Sequence, residues 1–411
     1  MRLAVFTNQF PTRVSTFFAR DMRGLLEAGI DIDVFPIYPL EPNLWRYVPD
    51  ILNQDVLPRH KVHHINFLDA ASHVKIPSLQ KFSLFLRDTM SISACAITSG
   101  VEPFIKTSYV FPKAWIWAQE QGNQYDHILA YWGNYTATCA YLFHRLLSCS
   151  IPFSIFLHAG IDLFLNRVYL REKLLAATHI ITCSDFNRLF IKEHFSDIWN
   201  ALSNKIHVHY HGLDFKDFAF KSSQRPLRKL LAVGRIDEWK GFEYLLHAIR
   251  ELKLRGVECE LELVGDGKEK NALIELANSL EISQRVTFRG WVMPEEIPSI
   301  MRNATILVHP SSKLGDGVPN VIKEAMALGT PVIGSDIAGI PELLKGGKLG
   351  VLVPPKDVKA LADAIQNLLA NDSLREEYSE SARRYAIDQF DLWRNGEALA
   401  QVLRLSRSRL S

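Results

Sequence analysis

The sequence predicts an α/β protein of two doubly wound domains that face each other across a cleft. A chain of 411 residues is too long for one ordinary domain and suits two of about 200 residues each. Short β-branched runs alternate with helical patterns in both halves, and parallel strands need crossovers that are usually helical. A polar stretch at residues 216–228 separates the halves and is predicted to be the linker.

The composition excludes several classes of protein. Hydrophobic residues make up 47% and charged residues 22%, which is ordinary for a globular chain. The net charge of +2 gives no general nucleic-acid signature, so no nucleic-acid partner is expected. Five scattered cysteines argue against a disulfide framework or a structural zinc site. The first apolar run is too short for a signal peptide, and no stretch reaches the roughly 18 apolar residues of a membrane helix. We therefore expect a cytoplasmic protein.

The first half, residues 1–215, contains six short runs that predict strands. Amphipathic patterns between several of them predict helices, and Ser184 stands at an N-cap position before one of these. Residues 39–107 do not resolve into clear elements. The expected strands are Leu3–Phe6, Ile32–Phe35, Ile128–Tyr131, Phe153–Leu157, Ile180–Cys183 and Ile206–His209, and the expected helices are Ser15–Ala28, Thr136–Leu147, Arg167–Ala176 and Asp185–Phe195.

The second half, residues 229–389, alternates more regularly. A last helix at about residues 390–411 is expected to pack back onto the first domain. The expected strands are Leu230–Val233, Leu261–Val264, Val286–Phe288, Ile306–Val308, Val332–Gly334 and Val351–Val353, and the expected helices are Phe242–Arg255, Glu269–Leu280, Glu295–Arg302, Pro319–Leu328 and Val358–Leu369.

The loop after the first strand of the second half combines glycine with two cations. It reads Gly-Arg-Ile-Asp-Glu-Trp-Lys-Gly from Gly234 to Gly241 and leads directly into a helix. The glycine lets a ligand approach the backbone, while Arg235 and Lys240 supply positive charge. Such a loop suits a diphosphate, although a solvated turn would have the same composition.

A second loop, within residues 309–329, also leads into a helix. Gly317 and Pro319 mark the start of that helix, whose first N–H groups can hold a phosphate. Glu324 lies five residues beyond Pro319, about 7.5 Å along the helix, which is far enough to pass from a diphosphate to the ribose of the same nucleotide. The neighbours Ala325–Ala327 indicate a buried helix, in which a carboxylate needs a partner.

Taken together, these motifs resemble a known family. The two loops, the Gly-Asp-Gly triplet at Gly265 and the segment EAMALGTPVIGSDIAGIPELL from Glu324 are similar to the nucleotide-sugar half of GT-B glycosyltransferases. The match is to glycosyltransferase family 4 (group 1), the retaining group, and to its exopolysaccharide and lipopolysaccharide members. It implies the GT-B fold of two Rossmann-like domains and an NDP-sugar donor. It also implies activity without a metal or other cofactor, and the absence of a DxD-type metal motif in a supporting context agrees with this.

The first half carries weaker matches to the same family. Phe10-Pro11 followed by Ser15-Thr16-Phe17 is similar to FP-x2-SETF, and residues 157–162 resemble the FHG-x-D loop. Tyr131-Trp132-Gly133 stands where His-Phe-Gly is common, and residues 211–214 resemble the NGVD element. Three positions depart from the family: Asp316 replaces the first Glu of the EX7E motif, Ser15 replaces the Glu of SETF, and Tyr131 replaces a His.

The resemblance assigns roles to individual residues. Four are implied to be catalytic: His158, which contacts the donor sugar, Asp316, which stabilises positive charge on it, and Arg235 and Lys240, which hold the diphosphate. The implied donor-binding residues are Gly234, Arg235, Lys240, Gly265, Trp291, Gly317, Val318 and Glu324, the acceptor-side residues are Ser15, Thr16, Trp132 and Gly133, and no metal ligand is expected.

The expected reaction moves a sugar from an NDP-sugar to a hydroxyl of a glycan or lipid-linked acceptor, with retained configuration. A peripheral contact with the inner face of a membrane stays open. Two alternatives also stay open: an inverting transferase or nucleotide-sugar epimerase of the same fold, and a non-catalytic nucleotide-sugar-binding protein.

Other conspicuous residues are interpreted as structural. His207, His209 and His211 alternate along a strand and share a face, but no acidic cluster accompanies them in the sequence, so a metal site is not favoured. Trp115 and Trp117 flank an apolar helical face and are predicted to lie in the core.

Overall fold

The computed structural model describes residues 1–12, 16–47, 57–65, 78–220, 227–315 and 317–405. Its contacts divide the chain into two compact units, Met1–Gly212 with Leu392–Ser411, and Leu213–Asp391. Each unit contains a six-stranded parallel sheet, which confirms the predicted α/β class. The stretch predicted to be the linker, residues 216–228, falls within the second unit.

The sheet of the first unit has the strand order β2-β1-β3-β4-β5-β6. The strands β1, β3, β4 and β5 are almost completely buried, as expected of short apolar runs covered on both faces. The direction of winding reverses between β1 and β3, so the loops that follow these two strands meet at a switch point. The strands are β1 Arg2–Thr7, β2 Asp31–Pro36, β3 His127–Ala130, β4 Phe153–Leu157, β5 His179–Thr182 and β6 Ile206–Val208.

Eight helices accompany this sheet in the described residues. Two of them, at Leu79–Ser99 and Val101–Tyr109, occupy the stretch that the sequence pattern did not resolve. Both Trp115 and Trp117 are buried, which confirms their assignment to the core. The side chain of Ser184 accepts a hydrogen bond from the N–H of Asn187, as an N-cap residue should. The helices are α1 Thr16–Glu27, α2 Leu79–Ser99, α3 Val101–Tyr109, α4 Phe111–Gln121, α5 Tyr135–Leu146, α6 Leu170–Ala176, α7 Asp185–His194 and α8 Trp199–Leu202.

The sheet of the second unit has the strand order β12-β11-β10-β7-β8-β9. This is the order of dinucleotide-binding folds, with the reversal between β7 and β10. The strands are β7 Lys229–Val233, β8 Glu260–Val264, β9 Val286–Gly290, β10 Ile306–His309, β11 Val332–Ser335 and β12 Val351–Val353.

Seven helices belong to the second unit within its described residues. Several predicted bounds differ by one or two residues. Pro319, for example, is the N-cap of its helix and not part of the first turn, because its ψ of 120° is extended. The helices are α9 Phe242–Leu254, α10 Lys270–Ser279, α11 Ile297–Arg302, α12 Asn320–Leu328, α13 Ile340–Leu343, α14 Val358–Ala370 and α15 Asp372–Gln389.

The chain then returns to the first unit as α16, Leu392–Arg404. This helix packs against α1 through two glycines, since a Cβ added at Gly24 would lie 2.9 Å from the Cα of Gly396. No larger side chain fits at this crossing. In the described part of the chain, no helix is both long and apolar enough to cross a membrane.

Candidate functional site

In the second unit, the loops that follow β7 and β10 lie at the switch point of the sheet. They are residues 234–241 and 310–319, the same two loops that the sequence motifs single out. The hydroxyl of Ser312 donates to the carbonyl of Glu238, and the N–H of Ser312 donates to the carbonyl of Trp239, both at 2.9 Å. These bonds join the two loops into one surface at the carboxyl edge of the sheet.

Glycine is required where the backbones of these loops approach each other. A Cβ at Gly265, whose φ is +138°, would lie 1.9 Å from the carbonyl oxygen of Gly234. A Cβ at Gly241, whose φ is +64°, would lie 2.1 Å from the carbonyl oxygen of Pro310. Both positions combine a backbone conformation that favours glycine with a space that excludes any side chain. The result is a surface made largely of backbone, which a ligand can approach closely.

The two cations of the first loop stand on this surface. Arg235 is 72% exposed, and its Nε donates to Oδ2 of Asp237 at 2.6 Å. The other oxygen of Asp237 accepts the N–H of Trp239, so this carboxylate orients both the arginine and the loop. The side chain of Lys240 lies over Gly234, with its Cε 3.3 Å from the position of an added Cβ. Gly234, Gly265, Arg235 and Lys240 are therefore brought together.

The N-terminus of α12 faces the same edge. Its N-cap, Pro319, has no side chain that can accept a hydrogen bond, so no capping side chain satisfies the first N–H groups of the helix. The N–H of Ile322 donates to the carbonyl of Pro319 at 3.2 Å. Gly317 is held by the loop after β11, because a Cβ at Gly339 would lie 2.0 Å from the carbonyl oxygen of Gly317. Val318 is buried beside it. An uncapped helix of this length is suited to an anion.

The charge buried in α12 is not the one that the sequence singles out. Glu324 is half-buried, whereas its neighbour Lys323 is completely buried, with Nζ 5.5 Å from the centre of the Phe390 ring. The prediction of a largely buried helix was correct. The argument that a charge in a buried helix needs a partner applies better to Lys323 than to Glu324.

Two further residues were predicted for this site, Trp291 and Asp316. Trp291 is half-buried and follows β9 directly, next to Gly290, whose carbonyl accepts the N–H of Gly265 at 2.9 Å. Asp316 lies outside the described residues.

In the first unit, the loops after β1 and β3 meet at the switch point. The indole N–H of Trp132 donates to the hydroxyl of Thr7 at 3.2 Å. A Cβ at Gly133 would lie 2.4 Å from the side chain of Leu157 and 3.2 Å from Asp162, so the loops after β3 and β4 are also in contact. Thr16 begins α1, and Ser15 lies outside the described residues.

His158 is enclosed by rings. Its side chain is only 7% exposed, and its ring centre lies 4.3 Å from that of Phe156, 4.6 Å from Trp132 and 5.0 Å from His211. Among the described residues, neither ring nitrogen has a hydrogen-bond partner, although Nδ1 is 3.6 Å from a carboxylate oxygen of Asp162. Buried polar atoms without a partner are rare, and a bound ligand is one way to satisfy them.

Beneath His158 lies an ion-pair network that the sequence analysis missed. Oδ2 of Asp21 accepts hydrogen bonds from the hydroxyl of Tyr131 at 2.6 Å and from Nδ1 of His211 at 2.8 Å. The ring of His211 is parallel to that of His158, with an angle of 3° between them. Burial opposes ionisation of Asp21, but the charge of His211 and hydrogen bonds from His209 and His211 outweigh it and lower the pKa of the carboxyl group. Burial and the negative charge of Asp21 raise the pKa of Tyr131 well above its usual value.

No signal near His211 could have revealed this network. The sequence pattern favours a structural role for these histidines because no acidic cluster accompanies them, and Asp21 is 190 positions away from His211. Across the described ranges, no group of three or more His, Cys, Asp or Glu side chains is arranged to hold a metal ion.

A buried lysine supports the loop that carries Trp132 and Gly133. Nζ of Lys173 donates to the carbonyls of Gly133 at 2.9 Å and Asn134 at 3.2 Å, and contacts the hydroxyl of Thr138 at 3.3 Å. Burial lowers the pKa of Lys173 to about 7, against the opposing influence of the Asp162 charge. The hydrogen bonds of this buried amine therefore hold the loop that carries Trp132 and Gly133 in place.

Comparison with known proteins identifies the second unit. Residues 215–385 match the family described as glycosyl transferases group 1. This stretch belongs to that family. It includes every donor-side residue described above, from Gly234 to Glu324, and the match confirms the resemblance seen in the motifs.

Individual relatives match different shares of this chain. Alpha-D-kanosaminyltransferase of Streptomyces kanamyceticus is 34% identical over 44% of this chain and 46% of its own length. Amylovoran biosynthesis glycosyltransferase AmsK of Erwinia amylovora is 25% identical over 90% of each chain. Against several other relatives, the matched stretch again spans about half of the relative's length.

A solved structure supports the fold over the whole chain. The Anabaena protein HepE superimposes with a TM-score of 0.71 and 18% identity, covering 99% of this chain and 100% of its own. At this identity the likeness establishes the shared GT-B fold.

Proposed function

We propose that this protein is a retaining glycosyltransferase that moves a sugar from an NDP-sugar to a hydroxyl of a glycan or lipid-linked acceptor in polysaccharide or lipopolysaccharide biosynthesis. The observation that carries the proposal is the group 1 domain with two cations and an uncapped helix at its switch point. The names of AmsK and of the lipopolysaccharide core glycosyltransferase LpsE of Rhizobium meliloti support the polysaccharide class. HepE was crystallised with UDP-glucose, which supports a nucleotide-sugar donor.

The chemistry at the donor side follows from charge. When the glycosidic bond breaks, negative charge develops on the departing diphosphate. Arg235, Lys240 and the first N–H groups of α12 would stabilise that charge in fixed positions, without reorganisation during the reaction. Glu324 would bind the ribose hydroxyls of the same nucleotide.

His158 is proposed to contact the transferred sugar. Its two buried nitrogens, which have no hydrogen-bond partner within the part of the chain that the structure describes, would find one in the sugar hydroxyls. In the same proposal Asp316 stabilises positive charge at the anomeric carbon, and Thr16, Trp132 and Gly133 border the acceptor.

The proposal is tested in two stages. Thermal shift against a panel of NDP-sugars identifies the donor, since a ligand at 100 times its Kd adds about 2.7 kcal/mol of stability. The selected donor is then incubated with candidate glycan acceptors, and NDP release and the anomeric configuration of the product are measured. Acceptor-dependent release with retained configuration is expected. Donor binding without turnover would identify a binding protein, and an inverted product would contradict the retaining assignment.

Metal dependence provides a separate test. Because two cationic side chains and a helix terminus are assigned to the diphosphate, turnover is expected to persist in excess EDTA. Loss of turnover that Mg²⁺ or Mn²⁺ restores would show that the diphosphate is neutralised in another way.

A further inference from the structure

The ring of His158 is held in place by the rings around it. Among the described residues, neither of its nitrogens has a hydrogen-bond partner, and its backbone N–H donates to Oδ2 of Asp162 at 3.2 Å. Five other rings have their centres within 5.5 Å of its centre, and we call them the ring cage: Phe17, Tyr131, Trp132, Phe156 and His211. The direction in which the two nitrogens point therefore depends on how firmly the ring cage is held.

One buried carboxylate holds two members of the ring cage. Oδ2 of Asp21 accepts hydrogen bonds from the hydroxyl of Tyr131 at 2.6 Å and from Nδ1 of His211 at 2.8 Å. Asp21 lies on α1 and is 2% exposed, Tyr131 directly follows β3, and His211 lies beyond β6. Three separate elements are thus tied at a single oxygen atom. The ring centre of Tyr131 lies 4.8 Å from that of His158, and the ring of His211 is parallel to it at 5.0 Å.

Stability alone does not account for the burial of Asp21. Its helix neighbours Phe18, Met22 and Leu25 belong to one apolar cluster. A buried ion pair is often no more stabilising than well-packed apolar side chains of similar volume. Hydrogen bonds add direction, because they fix the orientation of a ring that apolar contacts alone leave free to slide. The carboxylate therefore serves the geometry of the two rings that it holds.

We propose that Asp21 is a positioning residue for His158. By holding Tyr131 and His211, it keeps the ring of His158 in the orientation in which its two nitrogens meet the hydroxyls of the transferred sugar. Asp21 acts through these two rings and not by contact with the sugar. The inference rests on the proposed function, in which His158 contacts that sugar. One of its two experiments uses no ligand, so the two proposals can fail separately.

The first experiment observes the ring of His158 without a ligand. The full chain is labelled with ¹³C in its histidine rings, and the NMR signal of His158 is assigned by its loss in His158→Ala. Asp21→Asn removes the charge that holds the two rings, and Tyr131→Phe keeps the ring at position 131 but frees it from the carboxylate. We expect the His158 signal to shift or broaden in both variants, because its ring then samples more than one orientation.

Ser154→Ala is the matched control. It removes one buried hydrogen bond of the same unit, between Oγ of Ser154 and Nε2 of His127 at 2.8 Å. This bond lies where β3 and β4 begin, at the opposite edge of the sheet from His158. The control should lose some stability and leave the His158 signal unchanged. Circular dichroism shows whether each variant is folded, and Tyr131→Phe decides the question if Asp21→Asn is not.

The second experiment measures turnover of the NDP-sugar. Asp21→Asn should lower kcat by up to about 100-fold and Tyr131→Phe by about tenfold, because a small displacement of a catalytic group costs much of the rate. Binding of NDP alone should stay unchanged, since the nucleotide is assigned to the second unit. In a His158→Ala background, Tyr131→Phe should change kcat by less than about twofold, because both substitutions act through the same ring.

Two results would overturn the proposal. One is a His158 signal that is the same in the wild type and in the folded variants. The other is a kcat for Tyr131→Phe that equals the wild-type value or falls equally with and without His158. A His158 signal that moves in a protein that binds no NDP-sugar would instead count against the proposed function alone and leave the positioning by Asp21 standing.

Discussion

The two sheet edges that carry the candidate residues are built in different ways. At the edge of the second unit, loops approach through glycine backbones, and the charge on the surface is exposed, as in Arg235 at 72%. At the edge of the first unit, rings surround His158, and the ionisable groups Asp21, His211 and Lys173 are buried.

This difference shows how each edge recognises its ligand. A diphosphate is recognised by close backbone approach and by accessible cations, which short motifs are able to specify. The buried network of the first unit depends on contacts between distant segments, and its energy is coupled to folding. Substitutions at the second edge should therefore affect ligand affinity, whereas those at the first edge should also affect stability.

The largest effect is expected at Asp21. The variant Asp21→Asn leaves His211 without its buried counter-charge, which should lower the unfolding free energy by about 3–5 kcal/mol. Tyr131→Phe removes only one hydrogen bond to the same carboxylate and should cost about 1.5–3 kcal/mol. Urea denaturation of both variants near pH 7 measures the difference.

The pH dependence of this effect has a definite sign. The pKa of Asp21 is lowered in the folded chain, so its contribution is fully present above the ordinary pKa of the group, 3.8, and is lost as the pH falls below it. The stability gap between wild type and Asp21→Asn should therefore narrow under acid conditions. Equal costs for Asp21→Asn and Tyr131→Phe would contradict a charged pair.

A smaller effect, confined to ligand binding, is expected at Arg235 and Lys240. Replacing either by alanine should lower kcat/KM for the NDP-sugar by about 10- to 150-fold, because a hydrogen bond to a charged group contributes about 1.5–3 kcal/mol. Thermal unfolding without ligand should remain unchanged. Lys313→Ala is the control, because Lys313 is a partly exposed lysine of the neighbouring loop, paired with Glu238 at 2.8 Å. Wild-type kinetics for both variants would refute the diphosphate assignment.

Counted over one pH unit, the smallest effect concerns Lys173, the buried lysine under the first edge. The pKa of Lys173 is about 7 when folded and near 10.5 when unfolded, so the unfolded chain binds the extra proton between these values. Unfolding free energy should consequently rise with pH in this interval, by at most about 1.4 kcal/mol per pH unit for one proton. Lys173→Met should lack this rise. Denaturation of both proteins at several pH values provides the comparison, and parallel curves would mean that Lys173 titrates normally.

The sequence predicted most of the fold because local signals agree with it. Short apolar runs such as Phe153–Leu157 became strands with the expected bounds. Glycine and proline marked the loops at the second edge, where the backbone itself forms the surface. The donor-side residues near Gly234 could therefore be placed together before the structure was known.

The remainder could not be predicted because it depends on contacts between distant segments. Asp21 and His211 meet across 190 positions, and Lys173 reaches Gly133 across 40. In α12, periodicity indicated burial but could not tell which of two adjacent charges, Lys323 or Glu324, would face inward. Residues 79–109 form two helices that expose apolar side chains such as Leu79 and Val101 together with charged ones, a pattern that does not follow the usual amphipathic rule.

Because α16 returns to the first unit, the second unit is an insertion in the sequence of the first unit. The ends of that insertion are adjacent, since the N–H of Leu213 donates to the carbonyl of Phe390 at 2.6 Å. When the two ends of an inserted domain are adjacent, the domain can be replaced by another without a change in the structure around the insertion point. Residues 213–391 thus form a natural cassette for chimeras, in which a different donor module could be grafted onto the same N-terminal unit.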